Sequence, residues 1–160
     1  MIDADTFRSV LGRFASGVTI VTTRDGNGKD HGMTMSAFSS LSLDPPLVLF
    51  SVDHGASMYE LLLEHPRCGI SILSSQQEAY SRRFADRKTE RSERFDGIAY
   101  SRGDAGVVLL DEALAHLEVR VTEHHHAGDH TIFIAEVERA RALDGRPLLY
   151  FRGGYALLER

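Results

Sequence analysis

The stretch that decides the fold reads Gly17-Val18-Thr19-Ile20-Val21-Thr22-Thr23, and it is β-branched almost throughout. Such a composition predicts a strand over these residues. The next segment is Asp25-Gly26-Asn27-Gly28, whose residues tolerate a positive φ, so a hairpin turn is expected there. Because the chain then returns through residues 31–40, the two segments should pair antiparallel.

Strand-like segments continue outward from this hairpin to the end of the chain. Further strands are predicted at residues 47–52, 68–73, 115–121, 130–142, 148–151 and 155–158. Helices are predicted at residues 7–14, 57–64 and 75–85. Asp3 or Asp5 would cap the first helix, and Ser74 or Ser75 the third.

Strands joined by short turns dominate this pattern, and only a few helices interrupt them. Regular alternation of strand and crossover helix is missing, which argues against a Rossmann-type parallel sheet. A mainly β fold explains the pattern better, namely a closed or split antiparallel Greek-key β-barrel with α-helices packed on its outside. Asp44-Pro45-Pro46 cannot be central strand. A turn is expected at residues 124–129, between two long strands.

Size and charge limit the classes of function. The chain has 160 residues, the length of one domain, which is expected to span residues 1–160. The net charge of −5 argues against nucleic acid or an anionic membrane as the main partner, because both favour a basic face. The sequence shows no secretory signal and no apolar stretch of the roughly 20 residues that cross a bilayer. The lone Cys68 is expected to be a small core residue, and these features fit a cytoplasmic protein.

Two segments could bind a phosphorylated heterocycle, although each also has a simpler interpretation. Residues 32–40 offer hydroxyls and backbone N–H groups to a planar ring, or they form a serine-rich turn. Residues 82–94 hold six basic side chains against three acidic ones, which suits a phosphate or a solvated helix face. Hydroxyls of Ser51 and Ser57 could complete a phosphate site. The sequence has no Walker loop, no GxGxxG turn after a strand, no paired-cysteine zinc site and no Gly-x-Ser-x-Gly elbow.

A histidine cluster precedes the last long strand, with His124, His125 and His126 followed by Gly128-Asp129-His130. Neighbouring side chains of an extended segment point to opposite faces, so the triplet makes a poor tetrahedral zinc site and no metal is predicted. His130 ends a turn and starts a strand, a position from which an imidazole could orient a ligand. From the residues alone, a structural histidine is the simpler interpretation.

The order and spacing of these segments resemble a known family. The matching segments are residues 17–23, 32–38, 42–49, Gln77 with Arg-Phe-Ala at 83–85, Arg-Phe-Asp-Gly at 94–97, Ala-Leu-Ala-His-Leu-Glu at 113–118, Gly-Asp-His-Thr-Ile-Phe-Ile at 128–134, and residues 147–155. Together they are similar to the short-chain flavin reductases, the reductase components of two-component flavin-dependent monooxygenases. The likeness runs from about Phe7 to Leu158. It implies a split β-barrel of the FMN-binding type that forms a homodimer.

The resemblance also implies a reaction. NADH or NADPH would reduce FMN or FAD by hydride transfer, and the reduced flavin would pass to a separate monooxygenase. Such a transfer needs aligned cofactors rather than a protein nucleophile. His130 matches the family histidine beside the nicotinamide, and it is the predicted catalytic residue. The residues expected to bind the flavin are Met33, Thr34, Met35, Ser36, Ala37, Ser51, Val52, Ser57, Phe84, Ala85, Arg87, Lys88 and Tyr155.

A few positions depart from the family pattern. Met58 follows Ser57 where a small hydroxyl residue is common, and the triplet His124-His125-His126 is unusual. Two other functions on this fold stay open from the sequence. One is a flavin carrier or sensor that does not turn over. The other is an oxidoreductase that uses flavin or deazaflavin directly on a small substrate.

Overall fold

A computed structural model describes residues 1–90 and 93–159 of the chain. Within these ranges the α-helices are α1 (Ala4–Leu11), α2 (Tyr59–Glu64) and α3 (Glu78–Ala85), and a 3-10 turn at Ser75–Gln77 leads into α3. The strands are β1 (Ser16–Gly17), β2 (Thr19–Arg24), β3 (Asp30–Met35), β4 (Phe38–Leu43), β5 (Pro46–Asp53), β6 (Arg67–Ile72), β7 (Tyr100–Arg102), β8 (Val108–Leu110), β9 (Ala115–Ala127), β10 (His130–Ala142), β11 (Leu148–Phe151) and β12 (Gly154–Leu157).

Seven of these strands form one sheet in the order β3-β2-β6-β9-β10-β5-β4. All of its pairings are antiparallel. Some neighbours are far apart in sequence, such as β2 with β6 and β5 with β10, as Greek-key connections require. Two smaller sheets have the orders β1-β11-β12 and β7-β8. The predicted mainly β, antiparallel fold is confirmed.

The opening strand β2 is buried on both faces. Val21 packs in a core cluster that includes Phe133 of β10. Ile20 points to the opposite face, where a second cluster includes Phe84 of α3 and Leu110 of β8. Because successive side chains of a strand point to opposite faces, a strand between two cores reads as one continuous run of apolar and β-branched residues. This double burial is the physical reason for the composition of the first strand.

The sheet is split between β3 and β4. These strands are its two edges, although only Ser36 and Ala37 separate them along the chain. Two backbone hydrogen bonds fix the crossing: Phe38 N–H donates to Ser36 O at 2.9 Å, and Ser51 N–H donates to Ala37 O at 3.0 Å. Since the outer side of an edge strand lacks ladder partners, the split leaves polar backbone groups of β3 accessible.

The main correction to the sequence-based expectations concerns the histidine triplet. The turn predicted at residues 124–129 is wrong, because β9 continues to Ala127 and only Gly128 and Asp129 separate it from β10. Residues 122–127 are exposed to solvent. Their extended conformation is therefore maintained by backbone pairing with β10 and not by burial of side chains. An exposed polar strand shows no apolar alternation, and the sequence pattern therefore could not reveal it.

Element boundaries also shift at the start of the chain. The first helix spans Ala4–Leu11 instead of residues 7–14, and Asp3 is its N-cap, with the side chain accepting the Thr6 N–H. The first strand is interrupted at Val18, between β1 and β2. These are differences of one to three residues and leave the predicted order of elements unchanged.

Two further helices differ from their predicted limits. The second begins at Tyr59 rather than Ser57. The third opens with a 3-10 turn capped by Ser74, whose N–H donates to Gln77 Oε1 at 3.0 Å.

Cys68 is completely buried in the core, as predicted, and burial raises the pKa of its thiol to about 12. None of the described helices combines the length and the apolar character that crossing a membrane requires.

Candidate active site

A cavity of about 500 Å³ opens beside the split of the sheet. This volume lies within the range of roughly 300–1,000 Å³ that small-molecule sites occupy. Its walls come from β3, from the turn between β5 and α2, and from the end of α3 with the loop after it. The lining residues are Met33, Thr34, Asp53, Gly55, Ala56, Ser57, Phe84, Ala85, Arg87, Lys88, Thr89, Glu90 and Arg94. Seven residues predicted to bind flavin are among them: Met33, Thr34, Ser57, Phe84, Ala85, Arg87 and Lys88.

Asp86 folds the loop after α3. Its carboxylate accepts the Lys88 N–H at 2.9 Å and the Thr89 hydroxyl at 3.0 Å. These two hydrogen bonds, together with the positive charges of Lys88 and Arg94, hold the pKa of Asp86 below its ordinary value. The folded loop keeps Arg87 and Lys88 on the cavity wall.

Arg94 joins two walls of the cavity. It is only 8% exposed, and it donates to Gly32 O and to Asp86 O, each at 3.0 Å. A planar guanidinium can hold two acceptors at once, so Arg94 ties the loop after α3 to β3. Arg87, Lys88 and Arg94 bring three positive charges to this end of the cavity, against the carboxylates of Asp53 and Glu90.

The structure divides the basic run that the sequence suggested as one patch. Arg82 pairs with Glu78 at 2.7 Å and lies over the ring of Tyr155, 4.7 Å from its centroid. Arg83 donates to Asp96 O at 2.5 Å. Arg91 lies outside the described residues. Of the run's described members, only Arg87, Lys88 and Arg94 line the cavity.

A second cavity of about 210 Å³ adjoins the first, since Thr34 and Ala85 line both. Its other lining residues are Val18, Ser36, Tyr150 and Tyr155. The two tyrosines are directly opposite each other on β11 and β12, with ring centroids 5.7 Å apart. Aromatic faces of this kind can stack on a planar ring.

Ser81 of α3 connects two of the predicted residues. Its hydroxyl lies 2.7 Å from the Tyr155 hydroxyl, and its backbone oxygen accepts the Thr34 hydroxyl at 2.6 Å. Ser81 is completely buried, which strengthens and orients these bonds. Thr34 and Tyr155, 121 positions apart in the chain by their numbers, are therefore held by one residue.

His130 lies at the start of β10, directly opposite Asp53 of β5. Asp53 lines the larger cavity, so His130 lies on the strand next to the one that forms this part of the cavity wall. Its Nδ1 is 2.7 Å from Asp129 Oδ1, and this hydrogen bond, followed by the charge of His130, lowers the pKa of Asp129. The His130 side chain is 43% exposed. A carboxylate thus orients an accessible imidazole, an arrangement suited to ligand contact.

Some predicted residues line neither cavity, namely Met35, Ala37, Ser51, Val52 and His130. Met35 and Val52 are 4% and 0% exposed and pack in the core, so only their backbone atoms could reach a ligand. Ser51 lies on the opposite face of β5 from Val52. The flavin contacts of these residues stay predictions.

The sequence interpretation identified Ser57 but missed its neighbours at the end of β5 and in the turn to α2. Asp53, Gly55 and Ala56 all line the larger cavity, and the Asp53 carboxylate accepts the Gly55 N–H at 2.6 Å. The signal was a short polar, glycine-containing segment directly after a buried strand, which is where binding loops often lie. Tyr150 was also missed, because its place opposite Tyr155 depends on strand pairing.

The joined cavities fit a phosphorylated flavin. Cationic side chains at one end suit a phosphate, tyrosines at the other suit a planar ring, and the β3 edge offers polar backbone groups between them. Throughout residues 1–90 and 93–159, no group of three or more His, Cys, Asp or Glu side chains is arranged to hold a metal ion.

Known proteins similar in sequence to this chain include flavin reductases and reductase subunits. Residues 11–159 match the family described as flavin reductase like domain. An NADH-dependent flavin reductase of a Rhodococcus species is 46% identical over 154 residues, covering 95% of this chain and 85% of that protein. The FMN reductase (NADH) SmoA of Agrobacterium fabrum is 39% identical, covering 97% and 86%. The reductase subunit HsaB of a flavin-dependent monooxygenase from Mycobacterium tuberculosis is 33% identical, covering 99% and 84%.

Solved structures agree with these relatives. A flavin reductase in its native state superposes with a TM-score of 0.91 at 36% identity, covering 99% of this chain and 100% of that one. An NADH:FAD oxidoreductase of Streptomyces globisporus, solved with NAD and FAD fragments, also gives a TM-score of 0.91, at 34% identity, covering 99% and 96%. This chain therefore belongs to the flavin reductase-like family.

Proposed function

We propose that this chain is an NADH-dependent flavin reductase that supplies reduced flavin to a partner monooxygenase. The observation that carries the proposal is the pair of joined cavities at the split of the sheet, cationic at one end and lined by tyrosines at the other. The family to which the chain belongs, and the activities named for its relatives, support the same reaction.

Arg87 and Lys88 would hold the flavin phosphate through charge-assisted hydrogen bonds, and the Ser57 hydroxyl would add a neutral donor from the turn between β5 and α2. Arg94 keeps the loop that carries both cations against β3. Thr34, fixed by its bond to Ser81 O, presents the edge of β3 to the ring. When bound, the flavin supplies the two-electron chemistry that amino-acid side chains lack.

His130 orients the nicotinamide. Its Nδ1 is engaged by the Asp129 carboxylate, which leaves Nε2 to meet the ligand and restricts rotation of the ring. The protein's contribution is alignment: positioned reactants can contribute about 7–11 kcal/mol to lowering the barrier of a two-substrate reaction.

FMN or FAD is the flavin, and NADH is the preferred donor over NADPH. A relative named FMN reductase (NADH), and an NADH:FAD oxidoreductase solved with NAD and FAD fragments, support both parts of this assignment. We also propose a homodimer located in the cytoplasm. The apolar face of α1, formed by Phe7, Val10 and Leu11, is more than half exposed and supports the dimer.

The test is to mix purified protein with FMN or FAD and follow NADH absorbance. We expect flavin-dependent oxidation of NADH, faster than that of NADPH. A yellow protein that oxidises neither nicotinamide would indicate a carrier or sensor, and the reductase proposal would be wrong. Formation of product from a small substrate without a partner oxygenase would indicate direct oxidoreductase activity instead.

Two variants separate the predicted roles. His130→Ala should raise the KM for NADH about tenfold while the flavin Kd changes less than about twofold. Lys88→Gln should raise the flavin Kd about tenfold, because it removes a charge-assisted hydrogen bond of about 1.5 kcal/mol or more. Arg83→Gln is the matched control, since Arg83 belongs to the same basic run but bonds to Asp96 O. The opposite pattern in His130→Ala would remove this residue from the nicotinamide site.

A further inference from the structure

The unusual histidine triplet is divided between the two faces of the sheet. His126 is opposite Thr131 of β10 and His124 is opposite Phe133, on the face that carries the core. His125 is opposite Ile132, on the other face, where its nearest polar partner is Glu123 at 3.2 Å. The three neighbours therefore cannot share one role, and His125 serves as an internal reference for the other two.

Thr131 is the centre of a polar network on the core face. Its side chain is completely buried, and Oγ1 lies 2.9 Å from His54 Nε2 and 3.0 Å from His126 Nδ1. The same hydroxyl donates to the Tyr59 hydroxyl over a longer distance of 3.4 Å. Since a hydroxyl has one proton and two lone pairs, Thr131 can donate to Tyr59 and accept an N–H from each imidazole. The proton and both lone pairs of the Thr131 hydroxyl are then used.

His54 links this centre to the turn that carries His130. Its backbone N–H donates to Asp129 O at 3.0 Å, while its side chain reaches Thr131. Its ring also packs on Tyr59 and His126, with centroids 4.9 and 5.5 Å away. The end of β5 is thus attached to the hairpin turn by one backbone and one side-chain bond. The two bonds reach Asp129 and Thr131, which are the residues directly before and after His130.

We propose that Thr131, with His54 and His126, forms a positioning centre that fixes the turn at residues 127–130 and thereby orients His130 toward the nicotinamide. The inference rests on the proposed reductase function, and it goes beyond it by assigning a task to two histidines outside the cavities. Thr131, His54 and His126 are not among the lining residues of either cavity. We therefore expect them to act through His130 rather than directly on the ligand.

The chemistry of the centre makes it sensitive to one hydroxyl. Without the Thr131 hydroxyl, the two imidazole N–H groups would lose their shared acceptor and face a methyl group instead. The rings would turn to find water, and the turn would lose its attachment to β5. A change confined to His125 would leave all of these contacts in place.

The first experiment compares His126→Leu with His125→Leu, the same substitution on opposite faces. His126 is exposed, so the variant should fold. We expect His126→Leu to raise the KM for NADH roughly three- to tenfold, the scale of one lost hydrogen bond, with kcat and flavin Kd nearly unchanged. His125→Leu should behave as wild type. Equal effects of the two variants, or none from His126→Leu, would overturn the proposal.

Thr131→Val and Thr131→Ser provide the second comparison. Valine keeps the shape but removes the hydroxyl, whereas serine restores it. We expect Thr131→Val to raise the KM for NADH about tenfold or more and Thr131→Ser to recover most of the loss. A purely structural role would lower the thermal midpoint and the flavin affinity together without a selective change in KM, and that result would contradict positioning.

Hydrogen exchange of residues 127–131 keeps this proposal separate from the reductase assignment, because it needs no nicotinamide. Faster exchange there in Thr131→Val and His126→Leu, but not in His125→Leu, would show that the centre holds the turn. If that result accompanied a His130→Ala variant with unchanged NADH kinetics, the proposed role of His130 would be the part that fails. Unchanged exchange in both variants would refute the positioning centre itself.

Discussion

At the scale of single residues, Asp25 organises the tip of the first hairpin. Its carboxylate lies 2.9 Å from His31 Nε2 and accepts the N–H groups of Asn27 and Lys29, each at 2.9 Å. The hydrogen bond from His31 is the largest cause, and with the backbone N–H groups it lowers the pKa of Asp25 from 3.8 to about 2. One short side chain therefore closes the turn that the glycines only permit.

This lowered pKa predicts a defined dependence of stability on pH. A carboxyl whose pKa is lower in the folded state stabilises the protein above its unfolded pKa, and loses that contribution as pH falls through the folded value. Wild type should exceed Asp25→Asn in unfolding free energy by a constant amount above about pH 5. The difference should shrink between pH 3.8 and about 2. Thermal unfolding of both proteins from pH 2 to 6 measures it. A difference that grows on acidification would contradict the assignment.

At the scale of elements, α3 packs so closely on β3 that one position must lack a side chain. A Cβ at Gly32 would lie 2.8 Å from Cε1 of Phe84 and 3.2 Å from Cζ of Phe95. Phe84 is 2% exposed and lines the larger cavity, so it cannot move outward without disturbing the site. Close approach of backbone to a ring is a physical reason for glycine here.

Gly32→Ala should therefore affect both stability and binding. We expect a loss of about 1–3 kcal/mol in unfolding free energy, the usual cost of overpacking, and a weaker flavin affinity because Phe84 is displaced. Urea unfolding and flavin titration measure the two effects. Gly17→Ala is the matched control, since a Cβ at Gly17 meets nothing within 4 Å. Unchanged stability in Gly32→Ala would mean that α3 can shift at little cost.

At the scale of the whole molecule, α1 leaves its apolar face uncovered. None of its residues is buried, and Phe7, Val10 and Leu11 are 54%, 59% and 51% exposed. Leu43, at the end of edge strand β4, is 96% exposed. An amphipathic helix usually buries its apolar stripe, so exposed apolar faces of this kind mark a surface for association.

The proposed homodimer follows from this surface and can be tested directly. Sedimentation equilibrium of the wild type should give twice the monomer mass of 17.8 kDa. Phe7→Asp should shift the protein toward monomer, because a charge in an apolar interface is costly. Ser9→Asp, on the same helix but outside the apolar stripe, should leave the mass unchanged. A wild type that sediments as a monomer at micromolar concentration would refute the dimer.

The sequence by itself determined most of the local elements and their order, although it did not predict β7, β8 or the separation of β3 from β4. The β-branched run of β2, the glycine-rich turn after it and the cap at Asp3 are local signals, and they were sufficient for a mainly β antiparallel fold. The order and spacing of the segments were also sufficient to identify the family, because family members share the same motifs in the same order along the chain.

Only the tertiary structure decided which side chains meet. The sequence predicts one basic patch, yet Arg82 pairs with Glu78 and Arg83 with Asp96 O, while Arg87, Lys88 and Arg94 line the cavity. The sequence predicts a turn at the histidine triplet, which lies in β9, because no apolar alternation marks an exposed strand. The physical reason is the same in each case. Strand pairing and side-chain packing bring together residues that are far apart in sequence, and the local sequence pattern does not specify which distant residues these are.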